Sequence, residues 1–312
     1  MTDGLKLFAW GMLKKIVIAD RIAPYVNFVY DNASNQYGLA LLLATVLYSF
    51  QIYCDFSGYS DMAIGLARYL GFDAGKNFDH PYFSKSVGEF WRRWHISLSS
   101  WLRDYVYIPL GGSHVVLPRI YLNLLVTFLV SGIWHGAGWS FVAWGLLHGF
   151  YLCFERATKQ LMGKINFSTG FKIFITFCLV SFAWVFFRAV SAKTALVICR
   201  RLARIPLEII QFVDLQKAAG LKNAIRTMFA ISPESCGNLR GMAKTVMLLG
   251  ILLVSEVLTL KTSGLALLRS NKADIRWLAY ILCTLALLKA LPLKISFEKQ
   301  HSYSTNFIYQ NF

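Results

Sequence analysis

Two histidines sit where a mostly apolar chain would be expected to avoid them. His135 occupies SGIWHGAGW (131–139), at the middle of a run from Ile120 to Phe154 that contains no Asp, Glu, Lys or Arg. His95 occupies FWRRWHISLSSWLRDY (90–105), a polar and aromatic stretch between apolar segments. An imidazole titrates near neutrality, so it can take a proton from a hydroxyl attacking a thioester or ester carbonyl and return it to the leaving group. Ionisable groups at membrane depth are costly and therefore candidates for function. No phosphate-binding loop, nucleophile elbow, zinc-binding H-E-x-x-H or dinucleotide fingerprint is present, and nothing calls for a metal or a bound cofactor.

Length explains how His135 could be housed. The 35 residues from Ile120 to Phe154 would form a helix of about 50 Å, against a hydrocarbon core of about 30 Å. The run must break, and Gly132, Gly136 and Gly138 mark the place, with His135 at the junction inside the protein. A histidine simply hydrogen-bonded to a neighbouring helix remains the alternative at this point. His148, further along the second segment, reads as structural.

For residues 90–105 a helix would put Arg92, His95, Ser99 and Arg103 on one stripe and Trp94, Leu98, Trp101 and Tyr105 on another. Glu89 and Asp104 could neutralise the arginines. The competing reading is an interfacial amphipathic helix. In DFSGYSD (55–61) the two acids lie six residues apart, on different helix faces. Pairing with Arg68 or the 92–103 arginines is expected, while Gly58 and Gly65 should permit close helix approach.

The elements that position these residues follow from composition. Of 312 residues, 56% are hydrophobic and 15% charged, well below the roughly one-quarter charged fraction of soluble domains. Apolar segments at about 5–19, 38–54, 120–133, 137–154, 171–187, 243–260 and 275–291 predict an all-α polytopic membrane protein. The net charge of +16 lies mainly in connections between them, as expected for loops facing anionic lipid, and a nucleic-acid partner is rejected. The piece TALVICRRLARIPLEII predicts an amphipathic surface helix with Arg200, Arg201 and Arg204 toward headgroups. The six cysteines form no C-x-x-C pair.

Three long motifs, YCDFSGYSDMAIGLARYLGF, EFWRRWHISLSSWLRDYVYIPLGG and YLNLLVTFLVSGIWHGAGWSFVAWGLLHG, resemble the membrane-bound O-acyltransferase (MBOAT) superfamily, in particular its alginate O-acetyltransferase (AlgI) group. The likeness continues through LVSFAWVFFRA (179–189) and NFIYQNF (306–312). It implies a helical bundle around a transmembrane tunnel, with re-entrant and amphipathic helices, in a bacterial inner membrane. It implies that the acyl donor, acetyl-CoA, enters from the cytoplasm, and that the acetyl group passes to a periplasmic partner and an exopolysaccharide acceptor. The resemblance makes His135, in W-H-G, the catalytic histidine and His95 the second active-site histidine. Under it Trp134 and Trp139 shape the tunnel, Arg92 and Arg103 draw in the anionic donor or brace the acids, and His95 orients or polarises the carbonyl. A related group (DltB) passes D-alanine toward teichoic acids. The chain as a single domain, 1–312, resembles the C-terminal two-thirds of that family, and further N-terminal helices are expected ahead of its first residue.

Overall fold

A computed structural model describes residues 2–236 and 238–260. Every regular element among them is helical. Among the described residues, four helices are long and apolar enough to cross a membrane: Gly38–Tyr69, Leu117–His135, Thr169–Arg188 and Leu239–Leu258. The chain is an all-α, multi-pass membrane protein. The expected segment at 275–291, Cys283 and the closing NFIYQNF lie outside the described residues.

The residues form two compact units. Among the described residues, one comprises 2–28, 47–76, 230–236 and 238–260, the other 29–46 and 77–229. In the first unit, α1 (Thr2–Met12) continues through a π-helical stretch, Leu13–Ala19, into α2 (Asp20–Asp31). α1 and the π-helical stretch lie against the second half of α3 (Gly38–Tyr69). Glycine faces glycine in two places along the seam: a β-carbon on Gly4 would strike the Gly65 carbonyl, and one on Gly11 the Gly58 carbonyl. The close approach expected of Gly58 and Gly65 is therefore present, made against α1.

The partners of the two acids differ from expectation. Asp61 pairs with Lys14 at 2.6 Å and Asp55 pairs with Lys15, which also reaches Asp20 at 3.0 Å. Lys14 further donates to Ser57 Oγ at 3.0 Å. Lys14 and Lys15 thus take the place expected of Arg68 or the 92–103 arginines. The glycine seam brings the two lysines onto α3, and burying them beside carboxylates satisfies both charges. In the same unit α12 (Leu239–Thr259) contributes Glu256, whose carboxylate accepts from the Tyr53 hydroxyl at 2.9 Å.

The second unit carries the motif histidines. Its elements are the first turns of α3, a 3-10 turn at Pro81–Phe83, α4 (Val87–Arg93), α5 (Ile96–Leu102) with a π-helical extension Arg103–Tyr107, α6 (Leu117–His135), α7 (Trp139–Lys164), α8 (Thr169–Arg188), α9 (Ala192–Leu202), α10 (Ile205–Ala219) and α11 (Leu221–Met228). Side chains cap several helix starts. Ser86, Ser168 and Ser191 accept from the N–H three residues on, at 3.2, 3.3 and 3.1 Å. The buried Glu208 of α10 accepts from the N–H groups of Gly38 and Leu39, at 2.8 and 3.1 Å, filling the open donors at the start of α3. Arg200 and Arg204 are exposed, whereas Arg201 donates to the Ser34 carbonyl. Of the three basic residues expected at headgroups, one therefore braces the protein instead.

Candidate functional site

The break in the Ile120–Phe154 run falls where length required it, though with fewer glycines than expected. α6 ends at His135. Gly136 follows with φ 153°, its N–H closing onto the Ile133 carbonyl, and α7 begins at Trp139. Gly132 is not part of the break. It lies inside α6, where a β-carbon would collide with the Phe141 carbonyl, and it faces Gly145 of α7. The glycines thus do two jobs: Gly136 and Gly138 lie in the turn, and Gly132 and Gly145 let α6 and α7 fold back at backbone contact.

That return encloses His135. The side chain is 6% exposed, and its ring lies 4.8 Å from Trp134, 5.1 Å from Trp144 and 5.1 Å from Phe187 of α8, centroid to centroid. The approaches are edge-on, so apolar rings hold the imidazole in place from three sides.

His95 is reached differently. The sequence expectation of one helix through 90–105 is not met, because the chain turns at His95. Its φ is 43°, a left-handed conformation, and it is the residue between α4 and α5. Arg92, His95, Ser99 and Arg103 consequently do not share a stripe. The apolar stripe is split as well: Trp94 is buried, while Trp101 and Tyr105 are 51% and 68% exposed. A left-handed non-glycine residue must be held by its surroundings. Here Asn77 holds it. Its carbonyl accepts from the Ile96 N–H at 3.0 Å, while its side-chain oxygen accepts from the Ser97 N–H at 3.2 Å and Ser97 Oγ at 3.0 Å. The same oxygen lies 3.3 Å from His95 Nδ1. Burial holds the His95 imidazole down to about 4, so it is neutral at physiological pH.

The two histidines, forty residues apart in the chain, converge on one indole. Trp134 stands 4.8 Å from the His135 ring and 6.4 Å from the His95 ring. Of the other residues singled out, Trp139 is 78% exposed at the start of α7 and Arg92 is exposed on α4. Arg103 is exposed and bonded to Asp104, Nε to Oδ1 at 2.7 Å. The neutralising acids are placed as expected, Glu89 with Arg93 at 2.6 Å and Asp104 with Arg103. The geometry gathers His135, His95 and Trp134, and leaves Trp139, Arg92 and Arg103 on exposed surface.

Behind them lies a layer in which His148 is structural, as the sequence suggested, with partners that it did not indicate. His148, fully buried, accepts through Nδ1 from the indole N–H of Trp91 at 3.2 Å. Its ring meets that of Trp144 edge-on at 5.1 Å, and Trp144 in turn touches His135. Seven residues further along α7, Glu155 accepts from the Gly88 N–H at 2.9 Å. α4 is thereby fastened to α7 at two points, and the turn bearing His95 follows directly from α4. Replacing Trp91 by phenylalanine keeps the ring and removes the donor. The buried His148 nitrogen is then left without it, and the thermal midpoint in detergent should fall, corresponding to roughly 1–3 kcal/mol. An unchanged midpoint would show that this hydrogen bond carries no stability.

Residues 5–196 match the membrane-bound O-acyltransferase family, more than half of the chain and the part that holds both histidines. The chain belongs to that family. Among similar MBOAT proteins is the peptidoglycan O-acetyltransferase of Helicobacter pylori, 45% identical over 196 residues, or 62% of this chain and 37% of that protein. The probable alginate O-acetylase AlgI of Azotobacter vinelandii is 46% identical over 193 residues, 62% of this chain and 38% of that protein. A teichoic acid D-alanyltransferase of Bacillus subtilis is 31% identical over 192 residues, covering 57% of this chain and 48% of that protein. The matched part is thus less than half the length of each of these relatives.

Proposed function

We propose that this MBOAT chain is an O-acetyltransferase of a bacterial inner membrane. It takes the acetyl group of acetyl-CoA from the cytoplasmic side and passes it outward to a hydroxyl of an alginate-like exopolysaccharide, with a periplasmic partner completing the delivery. The observation that carries this reading is the convergence of His135 and His95 on Trp134, with α6 and α7 folded back around His135. The two relatives near 45% identity carry acetyl-transfer names, and the one at 31% a D-alanyl name, which favours acetyl as the group moved.

The chemistry follows from an imidazole beside a thioester. His135 takes the proton of the acceptor hydroxyl as its oxygen bonds to the thioester carbonyl carbon. The carbon–sulfur bond then breaks, and the coenzyme leaves as a thiol carrying the proton that His135 returns. Trp134 walls the site, and the exposed Arg92 and Arg103 meet the coenzyme's phosphates.

The test is labelled-acetyl transfer in membranes containing the chain, with His135→Ala inserted to the same level. Proton transfer by a placed side chain is worth about 10²–10⁴ in rate, so His135→Ala should lower transfer by that factor. Equal transfer by the two would overturn the reading, as would transfer of D-alanine in preference to acetate.

A further inference from the structure

The tautomer of His95 can be deduced from its neighbours. The side-chain oxygen of Asn77 is identified by the Ser97 backbone N–H, which can only donate and lies 3.2 Å away. Ser97 Oγ donates to the same oxygen at 3.0 Å. His95 Nδ1 stands 3.3 Å from this oxygen and 3.2 Å from Ser97 Oγ, whose lone pairs remain open to accept. A bare nitrogen at that position would set its lone pair against that of an amide oxygen. A protonated one would donate to it, and to the hydroxyl beside it. We propose that Asn77 is a positioning residue of this site: it fixes His95 as the tautomer protonated on Nδ1, so that Nε2 meets the substrates as a hydrogen-bond acceptor.

This inference rests on the reaction proposed above and corrects one expectation about it. A histidine that polarises a carbonyl must offer an N–H to the carbonyl oxygen. The single N–H of neutral His95 is engaged by Asn77, so His95 is not that donor. Its Nε2 instead receives an O–H or N–H of the bound substrates and orients it, while His135 handles the reacting proton. The left-handed turn at His95 has the same cause: the Asn77 backbone and side chain together bond residues 95, 96 and 97, drawing the imidazole back against its own chain.

The experiment uses the full chain in nanodiscs, labelled with nitrogen-15 histidine, with His95→Gln to assign the His95 signals. At neutral pH the wild type should show a protonated Nδ1 and a bare Nε2 for His95. Asn77→Leu should move the proton to Nε2 or produce a mixture, and lower kcat by at least about tenfold, less than the roughly 10²–10⁴ carried by a proton-transferring group. Asn77→Asp keeps an acceptor oxygen and should restore both the tautomer and most of the rate. A proton on Nε2 in the wild type overturns the proposal, as does a tautomer indifferent to Asn77→Leu. The spectra do not depend on turnover, so a failed acetyl-transfer assay would count against the proposed reaction while leaving the tautomer result to stand or fall by itself.

Discussion

Replacing Gly145 with leucine should lower the proposed acyl transfer by at least about 10²-fold. Any β-carbon at this position runs into the Phe128 carbonyl and stands 3.2 Å from the Gly132 Cα, so the obstacle is backbone on the facing helix and no side-chain rotation relieves it. α6 and α7 must separate. Trp144, next in the chain, then moves away from His135, whose ring it now touches at 5.1 Å. Overpacking of this kind costs about 1–3 kcal/mol or more, and a misplacement of the order of 1 Å costs about 10²-fold in rate. The expected result is a rate lower by at least about 10²-fold, with a lower thermal midpoint. Gly250→Leu is the matched control: that glycine has open space around it on an exposed face of α12, and its replacement should leave rate and midpoint unaltered. A Gly145→Leu chain that kept its rate would show that the α6–α7 contact does not define the site.

The second large effect belongs to the other unit. Lys14 is 4% exposed and holds Asp61 at 2.6 Å. Lys14→Met removes the buried ammonium and leaves the Asp61 side chain, 22% exposed, without it, so the cost should fall below the roughly 3–5 kcal/mol typical of a fully buried pair. The expected outcome is a clear drop in resistance to unfolding in mixed micelles. Lys14→Met combined with Asp61→Leu removes both charges and should recover most of the loss, since well-packed apolar replacements of buried pairs are often near neutral. If the double variant were as unstable as the single, the pair would not be the source of the cost.

The same two regions show what could be read from the sequence. The break after His135 was legible because it follows from arithmetic on a membrane-length run, and the close approach at Gly58 and Gly65 because small residues on a membrane helix have few other uses. The partners of Asp55 and Asp61 were legible in principle. Lys14 and Lys15 are bases inside an otherwise apolar segment, and buried acids and buried bases satisfy one another. That signal was outweighed by the nearer, more numerous arginines. The 90–105 region misled for a different reason. Its residues suit one helix, and only a tertiary tie from Asn77, eighteen positions upstream of His95, bends it. Nothing in local spacing announces such a tie. The buried pair of Trp91 and His148 was hidden likewise: histidine on an apolar helix face looks the same whether it braces a neighbour or merely fills space.

The two fastenings of α4 to α7 also impose an order on assembly. Trp91 waits for a residue 57 positions later in the chain, and Gly88 for one 67 positions later. While the ribosome is still making α6, the turn that presents His95 lacks both of its ties to α7. Fastening of α4 to α7 therefore cannot precede synthesis of α7. A nascent chain released between residues 135 and 147 contains both histidines and lacks both of these fastenings.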